Sequence, residues 1–121
     1  MNDKPAHLVQ GEKAEQKALQ YLQDQGLAVV GQNFRCKQGE IDLIMRDNNF
    51  LVFVEVRYRK NSQYGNALET VTPKKQSRII AATQHYLVKN NLSRQSVRFD
   101  VVAMTGNNQL NWVKNAFQVN F

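Results

Sequence analysis

The sequence predicts an α/β domain in which a central mixed β-sheet is flanked by helices. Three observations carry that expectation. Apolar residues recur with helical spacing in two segments, they alternate with strand spacing in runs bounded by turn residues, and the resulting order is helix, three strands, helix, two strands. A chain of 121 residues holds one core of useful size and is too short for two, so residues 1–121 are expected to form a single domain.

The first helix is expected from about Leu8 to Gln25, ended by Gly26 just past its C-cap. Leu8, Ala18, Leu19 and Leu22 make its apolar stripe. Glu15 precedes Ala18 by three residues and Leu19 by four, so it falls inside the stripe, where a carboxylate needs a partner. The alternative is a good helix former at the stripe's edge. Gly11, one turn earlier, predicts close approach of this helix to the sheet. Leu27 to Phe34 reads as a weak first strand, interrupted by Gly31.

Two β runs follow, Gly39 to Arg46 and Leu51 to Arg57, joined by Asp47-Asn48-Asn49-Phe50. A four-residue loop built round a type I turn sets Arg46 opposite Leu51, and with it Ile44 opposite Phe53, Asp42 opposite Glu55 and Glu40 opposite Arg57. The intervening pairs, Met45 with Val52, Leu43 with Val54 and Ile41 with Val56, then form an unbroken apolar face. Tyr58 to Thr72 is a polar loop, long enough to count as functional or mobile. Thr72 as N-cap and Pro73 at the first helical position open a second helix that runs to about Asn90, with Ile79, Ile80, Tyr86 and Leu87 toward the core and the small Thr83 between them. Gln76, one turn before the isoleucines, points the same way. A last hairpin, Val97 to Met104 and Leu110 to Lys114, sets Met104 opposite Leu110 and Asp100 opposite Lys114, an ion pair that accounts for Asp100 without chemistry.

The paired carboxylates Asp42 and Glu55 are the candidate site. Directly opposed side chains have Cβ atoms about 5 Å apart, and two like charges at that distance repel by about 3 kcal/mol at an effective dielectric of 20. A divalent cation between them reverses the sign, because hard cations such as Mg²⁺ or Mn²⁺ use few carboxylates and complete their shell with water and phosphate oxygens. The competing reading is a strand end in water, where screening weakens the repulsion and Arg57 neutralises part of it.

The spacing also resembles a family. An Asp near one strand end, followed ten to thirty residues later by Glu-x-Lys, is similar to the pattern of the restriction-endonuclease-like PD-(D/E)xK nucleases, and Asp42 with Glu55-Val56-Arg57 fits it except at the last residue. More specifically, Gly11-Glu12-Lys13-Ala14-Glu15, Asn33-Phe34-Arg35, Gly39 to Ile44, Val52 to Arg57, Lys74-Lys75 and Arg98 to Val102 look, in that order, like the YraN family of bacterial proteins grouped with those nucleases. The resemblance covers nearly the whole chain. It implies a restriction-endonuclease-like αβββαβ core plus one C-terminal strand, and it makes Glu15 the helix carboxylate that joins the site. Arginine at position 57 keeps the charge and can fork onto a phosphate, yet it stays protonated and so cannot serve as a general base.

Composition narrows the rest. With 42% hydrophobic and 21% charged residues the chain is ordinary globular material, its longest strongly apolar run, Phe50 to Val54, is far below the roughly 20 residues of a membrane span, and no signal-peptide pattern opens it, which points to the cytoplasm. Cys36 has no second cysteine to pair with, and with His7 and His85 it is too scattered for a zinc site or a nucleophile and base. The net charge of +6 is uneven. Residues 1–56 carry six Lys/Arg against eight Asp/Glu, whereas residues 57–98 carry nine against Glu69 alone, so basic charge begins where the carboxylates end.

The first hypothesis is therefore a metal-dependent phosphodiesterase acting on nucleic acid, with DNA the leading substrate. Asp42 and Glu55 hold Mg²⁺ or Mn²⁺, Glu15 completes the shell or holds a metal water, Arg57 stabilises charge on the phosphate, Glu40 and Gln76 support from behind, and Arg59, Lys60, Lys74 and Lys75 hold the nucleic-acid backbone. The alternatives are a nucleic-acid-binding protein on the same fold with lost or slow catalysis, and an adaptor for a protein partner whose acidic cluster is merely solvated.

Overall fold

The computed structural model describes residues 6–59, 71–107 and 109–118. The elements come in the expected order: α1 (Ala6–Asp24), β1 (Ala28–Cys36), β2 (Gly39–Asp47), β3 (Phe50–Arg59), α2 (Pro73–Lys89), β4 (Ser96–Thr105) and β5 (Leu110–Phe117). The strands form one five-stranded sheet in sequence order, antiparallel throughout except for the parallel β3–β4 pair, which α2 connects. This is an α/β fold with a mixed sheet, consistent with a restriction-endonuclease-like core. Among the described residues, no helix is long and apolar enough to cross a membrane.

The helix ends follow from their local chemistry. At the end of α1, Gly26 takes φ 98°, its N–H bonds the Gln23 carbonyl at 3.0 Å and the Leu27 N–H bonds the Leu22 carbonyl at 3.0 Å. Those are the two bonds of a Schellman stop, and Leu22 and Leu27 pack together beneath it. At the start of α2 the Thr72 hydroxyl accepts from the Lys75 N–H at 3.2 Å, with Pro73 following.

The sheet separates two apolar layers. On one face Ala14, Ala18, Leu19 and Leu22 of α1 cover Leu43, Met45, Val52, Val54 and Val102. On the other, Ile79, Ala82 and Leu87 of α2 cover Ile44, Leu51, Phe53, Phe99 and Val101, with Ile80 and Tyr86 packed at the margin. Gly11 does not bring α1 to the sheet as expected, since a Cβ there would meet nothing within 4 Å. Small residues at Ala14 and Ala18, buried to 3% and 0% exposure, make that approach instead.

Two details of the strands depart from expectation. The β2–β3 connection is two residues and not four: Asp47 pairs with Phe50, leaving Asn48 and Asn49 as the turn. Asn48 takes φ 53°, the left-handed value that primed hairpin turns require and asparagine tolerates, and the register of the hairpin is unchanged. Tyr58 and Arg59, expected to open the polar loop, instead extend β3 and pair with Met104 and Thr105. Residues 60–70, Lys60 among them, lie outside the described residues.

The last hairpin holds the larger correction. Met104 does face Leu110, but the register shifts between Val101↔Val113 and Phe99↔Phe117, so Asp100 is not opposite Lys114. Asp100 is fully buried and takes four donors: Arg98 Nε and Nη2 at 2.9 Å, Trp112 Nε1 at 3.0 Å and the Asn115 N–H at 2.9 Å. A buried carboxylate needs its oxygens filled, and the bulge with Asn115 at φ 53° delivers the main-chain donor that a regular ladder would direct elsewhere. Lys114 Nζ lies over the Trp112 ring at 4.5 Å instead. Arg98 also reaches Asp47 at 2.9 Å, so this arginine belongs to the framework and not to the basic surface.

Candidate active site

The hairpin positions the acids. The β2–β3 ladder runs from Asp47↔Phe50 through Arg46↔Leu51, Met45↔Val52 and Ile44↔Phe53 to Leu43↔Val54, the predicted register. Beyond that rung the strands are joined differently: the Asp42 carboxylate, through Oδ2, accepts the Val56 N–H at 2.8 Å. Ile41 packs in the α2 layer while Leu43 packs in the α1 layer, so alternation breaks at Asp42 and the expected Ile41–Val56 apolar pair does not form. Asn33 of β1, between the paired rungs Gln32↔Leu43 and Phe34↔Ile41, takes φ 52°, so the irregularity at Asp42 lies beside one on the neighbouring strand.

Glu55 follows normal alternation. Val54 and Val56 lie on the α1 side, so Glu55 projects on the α2 side, where its side chain is 6% exposed and its Oε1 meets Lys75 Nζ at 3.6 Å and Arg57 Nη1 at 3.8 Å. Asp42 lies close enough to Glu55 for its charge to disfavour ionisation of the glutamate. Burial pushes Glu55 up to about 8, the Asp42 charge adds to the rise, and Lys75 and Arg57 oppose it. Burial also raises Asp42, against the Val56 N–H bond that favours its charged form. Burial thus favours protonation of both acids in a place where two carboxylates, a lysine and an arginine converge.

The remaining predicted residues fall as follows. Glu15 comes from α1 on the opposite side of the sheet, half-buried, bonded by the Asn33 side chain and raised by burial and by the charge of Asp42. It is close enough to feel Asp42, yet among the described residues no three His, Cys, Asp or Glu side chains are grouped to hold a metal ion. Glu40 does not pair with Arg57. It makes an exposed pair with Arg35 across β1–β2 at 3.3 Å, and its charge raises Asp42 from there. Gln76 donates to the Val71 carbonyl at 3.0 Å, bracing the entry to α2. Arg59 and Lys74 are exposed, at the end of β3 and in the first turn of α2, whereas Lys75 is drawn in to Glu55.

Sequence reasoning placed Lys75 on the nucleic-acid backbone and missed its contact with Glu55, and it gave no site role to Asn33, beside Glu15, or to Gly39. A Cβ on Gly39 would meet the Arg78 carbonyl oxygen at 2.9 Å, so only glycine lets the start of β2 sit this close to α2. That contact fixes the depth at which α2 docks and hence where Lys75 ends. The usable signals were a glycine opening a strand and an asparagine inside one, since both types tolerate geometry that other residues avoid.

Residues 14–104 match the family described as Uncharacterised protein family UPF0102. The chain is 51% identical over 112 residues to a UPF0102 protein of Coxiella burnetii, an alignment covering 92% of this chain and 93% of that protein. It is 48% identical over 121 residues to one of Nitrosococcus oceani, covering 96% and 98%, and 48% identical over 114 residues to one of Pseudomonas fluorescens, covering 93% and 95%. The chain belongs to this family, the YraN group that its motifs resemble.

Proposed function

We propose that this member of the UPF0102 family is a metal-dependent phosphodiesterase acting on nucleic acid, with DNA as the leading substrate, working in the cytoplasm. The observation that carries the reading is the convergence of Asp42, braced by the Val56 N–H, and Glu55, faced by Lys75 and Arg57. Two close carboxylates, Glu55 buried and Asp42 half-buried, both held toward the protonated form by burial, form a site that favours added positive charge, and a hard cation can supply it in a proton's place. The donor set fits Mg²⁺ or Mn²⁺, which accept one or two carboxylates and keep waters. Asp42 and Glu55 would hold the ion, and when bound it supplies charge neutralisation and a more acidic water. Asp42 is oriented for this by the Val56 N–H. Arg57 and Lys75, both against Glu55 Oε1, offer a fork and a compact ammonium to an incoming phosphate. Glu15 lies on the far side, where it would hold a water in place without binding the metal directly. Arg59, Lys60 and Lys74 would contact the nucleic-acid backbone.

A second reading, nucleic-acid binding without effective catalysis, draws on the same contacts. Lys75 and Arg57 already neutralise Glu55, and a protein that binds phosphate through them has no need of metal. One experiment separates the two: single-stranded, duplex and branched DNA, and RNA, are incubated with Mg²⁺ or Mn²⁺ or with EDTA, using wild type and Asp42→Asn, alongside titration of Mn²⁺ by calorimetry. Metal-dependent cleavage and saturable Mn²⁺ binding, both lost in Asp42→Asn, are expected. Salt-sensitive binding of nucleic acid with no cleavage and no metal dependence would reject the enzyme reading in favour of the second.

A further inference from the structure

Beside the acid pair, and assigned to nothing so far, is a cleft of about 310 Å³ between the β1–β2 end of the sheet and α2. Its walls carry Arg35 and Glu40 on one side and Lys75 and Arg78 on the other, over Gly39. Lys75 and Arg78 are three residues apart on α2 and therefore share a face. Arg78 has no carboxylate partner among the described residues, and the Arg35–Glu40 pair is 76% and 53% exposed, an interaction too weak to hold Arg35 away from a better anion. The tight Gly39–Arg78 contact fixes the spacing of the two walls. Lys75 belongs to both places, since it lines the cleft while its Nζ lies 3.6 Å from Glu55.

We propose that this cleft is a phosphate subsite, in which Arg35, Lys75 and Arg78 take a backbone phosphodiester of the nucleic-acid strand next to the one presented to Asp42 and Glu55. The proposal rests on the nucleic-acid reading above and adds a strand direction to it: the chain leaves the acid pair across the first two turns of α2 toward the β1–β2 end. Arginine forks suit phosphate oxygens, and three cations round one cleft supply the field that a polyanion needs. Glu40 is the one carboxylate on the wall and opposes the ligand.

The test is anisotropy of fluorescein-labelled single-stranded and duplex oligonucleotides in EDTA, so that binding is read without cleavage, over a range of salt concentrations. Arg78→Ala and Arg35→Ala are expected to weaken binding three- to tenfold each and to flatten the slope of log K against log salt by about 0.7 on single strands and about 0.9 on duplex. Glu40→Gln is expected to tighten binding, while Arg94→Ala, an exposed change after α2, leaves it unaltered. Wild-type affinity and slope in both Arg78→Ala and Arg35→Ala would overturn the subsite and leave the nucleic-acid reading standing. Absence of binding by the wild type on every probe would overturn both.

Discussion

Replacing Glu55 by glutamine tests the proton at the centre of the site without using activity. Glu55 is held at about 8 against an ordinary 4.5, with burial and then Asp42 as the causes. Below about pH 4.5 the group is protonated in folded and unfolded chains alike. Between about 4.5 and about 8 the folded chain keeps a proton that the unfolded chain has lost, so stability falls as pH rises, by about 1.4 kcal/mol per pH unit, and above about 8 the loss is complete. A span of about 3.5 units sets a ceiling of ~5 kcal/mol. Asp42 titrates with Glu55 and water relaxes round the charged form, which brings the expected loss to about 2–3 kcal/mol. Glutamine keeps the shape and can donate to Asp42, but does not titrate. In urea denaturation with EDTA, the stability of wild type relative to Glu55→Gln should therefore drop by that amount from pH 5 to pH 9, roughly 10 °C in melting temperature for a domain of this size. Mn²⁺ at pH 9 should restore the wild type and not the variant. Parallel pH profiles for the two proteins would refute the buried proton on Glu55, and with it a reason for placing a cation there.

Three further outcomes follow from the same contacts. Arg98→Ala leaves Asp100 fully buried with its main ionic partner gone, so it should cost about 3–5 kcal/mol in urea denaturation at pH 7; a loss below about 1 kcal/mol would show that Trp112 and the Asn115 N–H hold the carboxylate without it. Gly39→Ala must displace the Arg78 main chain from 2.9 Å and should lower stability by about 1–3 kcal/mol while loosening Lys75 from Glu55, visible as a shifted Lys75 side-chain resonance in NMR; an unshifted resonance would show that Gly39 does not set the docking depth. In the cleavage assay Lys75→Ala should reduce the metal-dependent rate by about 10²-fold and Arg57→Lys should give no gain, because a lysine already reaches Glu55; a faster Arg57→Lys enzyme would show that Lys75 does not do that work.

What could be read from the sequence was what local rules decide. The Arg46↔Leu51 register followed from side-chain alternation and survived a turn shorter than expected, because removing two loop residues by pairing Asp47 with Phe50 leaves every other partner where it was. The Thr72-Pro73 start and the Gly26 stop were legible for the same reason, since each is settled within a few residues. The site is a different matter. Asp42 meets Glu55 by leaving the strand pattern, beside a left-handed Asn33 on another strand, and Asp100 finds its donors through a bulge at Asn115. A regular ladder, which is all that sequence spacing describes, gave Asp42 the right neighbour through a pairing that does not exist and gave Asp100 the wrong one.

The arginine at position 57 shows the consequence most plainly. Read along β3, the motif lacks its lysine, and the argument from residue type alone is that proton transfer is lost. Read in space, Lys75 of α2 stands 3.6 Å from the same glutamate oxygen that Arg57 approaches at 3.8 Å, so an ammonium and a guanidinium both face Glu55. What brings Lys75 there is the depth of α2 on β2, and what permits that depth is a missing side chain at Gly39. The chemistry of the site therefore depends on a glycine that carries no chemistry, and a substitution there should affect Glu55 as surely as one at Lys75 while leaving the motif itself intact.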